Sequence, residues 1–322
     1  DKGVLMKKIV TMVSALSVVA NVFGEEVKES KWTGQLVPRI EVEDTNNYGG
    51  NDAHPLWYYK LNGKLQHRDY PNWTFIYELR LEQFNASYIG DAESSKYQYR
   101  VYPGIMYSRN VTDKLNLKMT VRDRWQMQKT DGGEVLWKVN SYRIAPGFKY
   151  QITENLDFHG EVYLMKEIYY DRTPEKSKDQ RNSKSWEVTG LGFTYKVNDR
   201  ITVMADYWEE GWNKEHKATF EGDRFRHQQI RPRIAYKLDD KNTLELYGRI
   251  QIADGQVTRD NEKGKIKVNR DRYGFDMRHK LNDSFNLNWG FAVEQAIKET
   301  GYDGSVKKRD WYYYTGSIVY NF

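Results

Sequence analysis

The chain has 322 residues, 30% of them charged, with no cysteine and a formal net charge of +5. Disulfides and thiol chemistry are thereby excluded, and a balance this close to neutral gives no electrostatic reason for a nucleic-acid partner. Mean hydropathy is strongly negative, yet 25 tyrosines and 10 tryptophans are many for a soluble domain of this length.

Met6–Gly24 carries Lys7 and Lys8, then an apolar stretch from Ile9 to Ala20, then Gly24 before Glu25 and Glu26. This pattern predicts a secretory signal peptide, with residues 1–24 removed and a single domain over 25–322. Losing Asp1, Lys2, Lys7 and Lys8 lowers the net charge from +5 to +3. After Gly24 no charge-free stretch reaches the roughly 20 residues a spanning helix needs. A β-barrel, in which only alternate residues face lipid, reconciles polar composition with membrane insertion.

Residues apolar at every second position recur along the chain. They predict strands at 32–43, 55–66, 72–84, 97–108, 114–127, 138–152, 156–170, 185–197, 200–211, 224–238, 242–253, 268–280, 284–298 and 310–322. In the fifth strand Leu115, Leu117, Met119 and Val121 interleave with Asn116, Lys118, Thr120 and Arg122. In the tenth, Ile230, Pro232, Ile234 and Tyr236 interleave with Gln229, Arg231 and Arg233. A period of two gathers the arginines on one face, whereas a helical period would scatter them. The last strand closes on Phe322, with Tyr312, Tyr314, Ile318 and Tyr320 on its apolar face.

Alternation alone also fits a soluble sandwich; the connections separate the two. Every second one is tight and rich in turn formers: Asp69–Asn72, Asn110–Asp113, Thr153–Asn155, Asn198–Arg200, Asp239–Asn242 and Leu281–Ser284. The others are long and charged, as at Asp171–Lys184 and Asp254–Lys267. The fold class is therefore all-β: a transmembrane up-and-down antiparallel β-barrel of about 14 strands, with short periplasmic turns, long extracellular loops and periplasmic termini. Pro38, Pro103, Pro146 and Pro232 fall inside strands, where the missing N–H predicts local bulges.

The inward set follows by parity. It is Arg39 and Glu41 on the first strand, Glu78, Arg80 and Glu82 on the third, and Arg100 on the fourth. Lys118, Arg122 and Arg124 follow on the fifth, Arg143 and Lys149 on the sixth, Glu161 on the seventh, Asp206 and Glu210 on the ninth. Arg231 and Arg233 (tenth), Glu245 and Arg249 (eleventh), Arg270, Arg272 and Asp276 (twelfth) and Glu294 (thirteenth) complete it. Charges of both signs keep a pore wet, and an excess of arginine favours anions or acidic sugars. The competing reading makes them ion pairs that stiffen the wall. Tyr102, Tyr163, Trp208 and Tyr247 on the same face could form a stacking slide for sugars or simply fill space.

Enzyme chemistry finds little support. The six histidines, His54, His67, His159, His216, His227 and His279, have no partner at a spacing that predicts contact, and no Gly-x-Ser-x-Gly or His-Glu-x-x-His run occurs. No metal-ligand cluster or phosphate-binding loop is present, so no cofactor is implied. An outer-membrane hydrolase remains as a minor alternative. So does an adhesin or receptor acting through its loops, with Leu136, Trp137 and Trp212 as possible anchors.

The run Tyr142–Gly160 (YRIAPGFKYQITENLDFHG) resembles the sixth strand, turn and seventh strand of the OmpG porin family. Echoes follow at Thr189–Tyr195, Leu246–Ile250 and Tyr320–Phe322, so that the likeness runs through most of residues 32–322. It implies a monomeric fourteen-stranded outer-membrane channel for small hydrophilic solutes, in contact with outer-membrane lipid and lipopolysaccharide. The family's pH gate uses a histidine pair on strands twelve and thirteen. Val268 and Lys298 stand at those places, so the gate does not carry over. The corresponding loop, Asp254 to Lys267 with Gly255 and Gly264, is the candidate gating loop.

Overall fold

The computed structural model describes residues 30–46, 56–84, 96–130, 133–170, 181–216, 222–259, 265–300 and 306–322. The expected signal segment lies outside them, as does His54.

Fifteen strand segments follow in order: β1 (Trp32–Asn46), β2 (Leu56–His67), β3 (Trp73–Phe84), β4 (Lys96–Val101), β5 (Gly104–Asn110), β6 (Leu115–Thr130), β7 (Val135–Thr153) and β8 (Leu156–Tyr170). Then come β9 (Arg181–Lys196), β10 (Ile201–His216), β11 (Gly222–Lys237), β12 (Asn242–Arg259), β13 (Lys265–Lys280), β14 (Phe285–Thr300) and β15 (Val306–Asn321). Segments β4 and β5 both lie between β3 and β6, so they are two halves of one strand interrupted at Tyr102 and Pro103. The barrel thus has fourteen antiparallel strands, each paired with its neighbour in sequence. Pairing of β1 with β15, from Gln35 opposite Asn321 to Asn46 opposite Asp310, closes it. Phe322 completes the seam: its carbonyl accepts from Gly34 N–H at 2.9 Å. Closure removes the sheet edge, the requirement for β-structure in hydrocarbon.

The two faces separate by charge. On β6, Leu117, Met119 and Val121 are exposed, while Thr120 between them is 3% exposed. The outward residues form an apolar belt with Ile144, Leu164, Phe193, Ile234 and Leu246, all exposed to the surroundings of the barrel. Aromatic rings gather near the short-turn rim, with Trp73 against Tyr107 at 4.9 Å and Phe285 against Tyr320 at 4.7 Å. Rings amphipathic enough for a water–lipid boundary belong there.

Only one of the four prolines breaks a strand. Pro103 separates β4 from β5. Pro38 pairs with Leu61, Pro146 with Met119 and Pro232 with Ala205, and the register passes each without a shift on the other side. The expected bulges at those three are absent because the missing N–H drops a ladder contact with one neighbour without inserting a residue. Instead β9 bulges around Gly190, at φ +59°, where the pairing shifts against both β8 and β10.

Four of the six short turns share one construction. Thr112, Asn198, Asp239 and Asn282 each use a side-chain oxygen to accept the backbone N–H groups two and three residues on. In three of them a lysine reaches the aspartate three residues later: Lys196–Asp199 at 2.8 Å, Lys237–Asp240 at 3.0 Å and Lys280–Asp283 at 2.6 Å. Hydrogen bonds from these lysines hold the Asp199 and Asp283 carboxyls below their ordinary range. Their contribution to stability is therefore present above that range and is lost as the pH falls through the lowered values.

Strands extend further toward the other rim than the alternation predicts. The gaps there shorten to four residues between β6 and β7, and to five between β10 and β11, β12 and β13, and β14 and β15. Backbone pairing needs no apolar side chain, so hairpins continue after the lipid-facing pattern has stopped.

Replacing Asn198 and Asn282 by alanine should lower stability by roughly 1 kcal/mol each without preventing folding. A urea unfolding midpoint unchanged in both variants would show that these turns are held by the ladder alone.

Candidate functional site

The inner wall is built from the residues between the outward apolar positions. On β1 to β4, Glu41 pairs with Lys60 at 2.7 Å and Arg39 at 3.5 Å, and Arg80 meets Glu82 at 2.6 Å. Arg100 lies 3.7 Å from both Glu78 and Glu82, and Gln98 donates to Glu82 at 2.8 Å. Arg124 pairs with Glu167 beside Ser141, and Lys149 with Asp157 at 2.9 Å. Arg233 stands 3.6 Å from Glu245. Glu294 takes Arg272 at 2.7 Å, Arg270 at 3.8 Å and the Tyr313 hydroxyl at 3.1 Å.

Three ion-pair contacts reach over an intervening strand: Arg124 to Glu167 across Ser141 on β7, and two more across a glycine. Lys118 on β6 and Glu161 on β8 both stand opposite Gly147 on β7, and meet at 3.1 Å. His159 on β8 and Asp206 on β10 both stand opposite Gly192 on β9, and meet at 3.1 Å. A Cβ at Gly147 would lie 2.4 Å from Lys118 Cε, and one at Gly192 2.7 Å from Asp206 Oδ1. The missing side chain is what lets each pair touch.

On the inner wall Arg122, Arg143, Arg231, Arg249 and Arg278 have no carboxylate within ion-pair distance among the described residues. Arg122 donates to the Tyr102 carbonyl at 2.7 Å and lies 3.3 Å above the Tyr102 ring. Arg143 stands opposite Arg122 and contacts Met165 Sδ. Arg231 is fixed by Gln229 Oε1 at 2.9 Å and stacks 3.9 Å over Trp208. Arg249 stands opposite Arg272, so that β11, β12 and β13 present Arg231, Arg249 and Arg272 side by side. Like charges on adjacent strands repel, and here the hydrogen bond and the ring hold Arg231 in place. The wall also has acidic neighbours, Glu187 opposite Glu210 and Glu245 opposite Asp276.

Several expectations change. Arg122 and Arg231 cover the Tyr102 and Trp208 rings, so those two do not offer bare faces to a sugar. Of the candidate gating loop, Asp254 and Gly255 belong to β12 and Lys267 to β13, with Gly255 opposite Val268 and Gln256 opposite Lys267. Gly264 lies outside the described residues. Backbone pairing of those segments leaves a ladder where a mobile loop was expected. Trp137 donates to Gln128 from within β7, and Trp212 lies within β10, so neither is a loop anchor. His159, read as solvated, has a carboxylate partner 47 residues away. His67 accepts from Asp69 N–H, His279 contacts Asn242, and His227 lies edge-on to Trp208. Lys60, Glu167, Glu187 and Tyr58 line the same wall and share the parity of their strands, a signal that the sequence already carries.

The family model for outer membrane protein G (OmpG) matches residues 29–320. The chain belongs to the OmpG porin family. It is thus an outer-membrane channel protein, in keeping with its closed fourteen-stranded wall. A comparison with curated protein sequences gives no match. Among solved structures the fold is similar to that of a Pseudomonas aeruginosa FadL homologue, at 10% identity and TM-score 0.54, covering 90% of each chain. It is also similar to the Pseudomonas putida toluene transporter TodX, at 11% identity and TM-score 0.52, covering 90% of this chain and 88% of that one. A TodX deltaS2S3 mutant channel scores 0.54 at 10% identity, covering 91% and 90%. Likeness at this identity is one of fold.

Substituting valine for Gly147 should force Lys118 from Glu161 and cost about 1–3 kcal/mol through overpacking. The check is the temperature at which the folded, fast-migrating form is lost on electrophoresis. A glycine-like transition would mean the wall yields without strain.

Proposed function

We propose that this chain is a passive, water-filled channel for small hydrophilic solutes and ions, with a weak preference for anions and acidic sugars. No turnover chemistry is involved, and the protein acts as a monomer with both termini in the periplasm. The observation that supports this most directly is the row Arg231, Arg249 and Arg272, in which only Arg272 is tied to a carboxylate. Guanidinium groups held on a wet wall, free of a carboxylate partner, lower the cost of bringing a carboxylate or chloride through hydrocarbon thickness. The acidic pair Glu187 and Glu210 on the adjoining strands keeps that preference weak. Pore-lining roles for the other inward charges follow the same reasoning.

The hydrocarbon cargo named for several structural neighbours is not carried over. A wall of arginines and carboxylates holds water, which an apolar molecule has no free-energy reason to enter. The short-turn rim is assigned to the periplasm because bacterial outer-membrane barrels sort their connections in that way.

Single-channel recording in a planar bilayer under a KCl gradient tests the reading. Unitary steps with a reversal potential of the sign for chloride preference are expected. Arg231→Gln with Arg249→Gln should move that potential toward cations. A folded barrel without conductance would sink the channel reading, while an unmoved potential would reduce these arginines to wall fillers.

A further inference from the structure

On the inner wall from β9 to β12, charges of opposite sign lie near one another without pairing. Glu187 on β9 stands opposite Glu210 on β10. Among the described residues Glu187 accepts from Trp208 Nε1 at 2.9 Å and takes no cation, and Glu210 has neither a hydrogen bond nor an ion pair. The opposed carboxylates Glu245 and Asp276 differ, because Arg233 stands 3.6 Å from Glu245. Like charges directly opposite on neighbouring strands destabilise a sheet. The cations whose field reaches Glu210 are Arg143 on β7, Arg231 on β11 and Arg270 on β13. These carboxylates and the arginines Arg231 and Arg249 are all partly exposed, so that a solute in the lumen can reach them.

Trp208 is what keeps the two signs apart. Arg231 stacks 3.9 Å over its ring, while the Nε1–H of the same ring is turned to Glu187. The indole is buried, with the His227 ring edge-on to it at 5.4 Å. Gln229, also buried, accepts from Arg231 Nε at 2.9 Å and fixes the guanidinium on the ring. The indole thus stands where Arg231 and Glu187 would otherwise close on each other. In contact, a guanidinium and a carboxylate satisfy one another by paired hydrogen bonds. Held one indole apart, each keeps its charge and its hydrogen-bonding capacity for something else.

We infer that this part of the wall is a binding site for a zwitterionic solute of dipeptide length, its ammonium group between Glu187 and Glu210 and its carboxylate on Arg231 and Arg249. The inference rests on the channel reading above and names a further class of solute for it. An ammonium group seated between two carboxylates relieves their repulsion and donates charge-assisted hydrogen bonds to both, and the planar guanidinium fork matches a carboxylate. The termini of an extended dipeptide lie roughly 7 Å apart, enough to reach past one indole ring. A solute with a single charge satisfies one end of the site, and a neutral sugar satisfies neither.

The test is block of the single-channel KCl current of the refolded full chain by glycylglycine. Two capped forms are compared: N-acetylglycylglycine, which lacks the ammonium group, and glycylglycinamide, which lacks the carboxylate. Glycylglycine should block saturably, and each capped form about tenfold more weakly, the loss of one charge-assisted contact. Glu187→Gln with Glu210→Gln should raise the half-blocking concentration of glycylglycine by a similar factor. Trp208→Leu, which keeps the charged side chains and lets Arg231 close on Glu187, should weaken block as well. Glu78→Gln on β3 should leave it unchanged. Equal block by the three peptides, or unaltered block in the double glutamate variant, would overturn the site. A barrel that conducts KCl and is not blocked refutes the site alone. A folded barrel without conductance refutes the channel, and equilibrium dialysis of labelled glycylglycine against the same protein in detergent then decides the site: retention lost in the double variant supports it, and no retention overturns it.

Discussion

Everything in this molecule depends on pairing the backbone completely within the membrane. An unpaired N–H or C=O in hydrocarbon costs several kcal/mol, so a β-protein can cross only by joining its first strand to its last. The seam between β1 and β15 does this, and Phe322 extends the pairing to the final residue. Once the cylinder is closed, the pleat assigns each side chain to water or lipid. The apolar belt, the charged lumen and the aromatic rim are consequences of that single constraint.

Inside the cylinder, space is allotted row by row. Long charged side chains lie across neighbouring glycines, as Lys118 does over Gly147 and Asp206 beside Gly192. This permits pairs to form between strands that are not adjacent, and ties three strands together where a cross-strand pair ties two. Most inward charges are neutralised in this way or by direct neighbours. Among the exceptions, Arg122, Arg143 and Arg231 are held instead by aromatic rings, a backbone carbonyl, a thioether and an amide. Such partners fix a guanidinium in position without cancelling its charge.

Membership of the OmpG family fixes the broad class, and the details of this chain set it apart within that class. The resemblance sets Val268 and Lys298 at the places where a histidine switch is expected, and neither is histidine. The hairpin that would carry the moving loop is paired through Thr258 opposite Lys265. A histidine that does find a carboxylate, His159 with Asp206, belongs to the inner wall of β8 and β10 instead.

The sequence by itself determined the fold class, the strand number and the face of each residue. Alternation has a period of two wherever one side of a strand meets lipid, and the turns Val197–Ile201, Leu238–Asn242 and Leu281–Phe285 carry their own capping oxygens. These are local signals. Only the tertiary structure decided which charges meet, since His159 and Asp206 are 47 residues apart and touch because the register sets both against Gly192. It also decided how far the hairpins run, because hydrogen bonding between backbones continues after side-chain patterning ends. Register and partner choice belong to the closed ladder as a whole, and no stretch of sequence holds them alone.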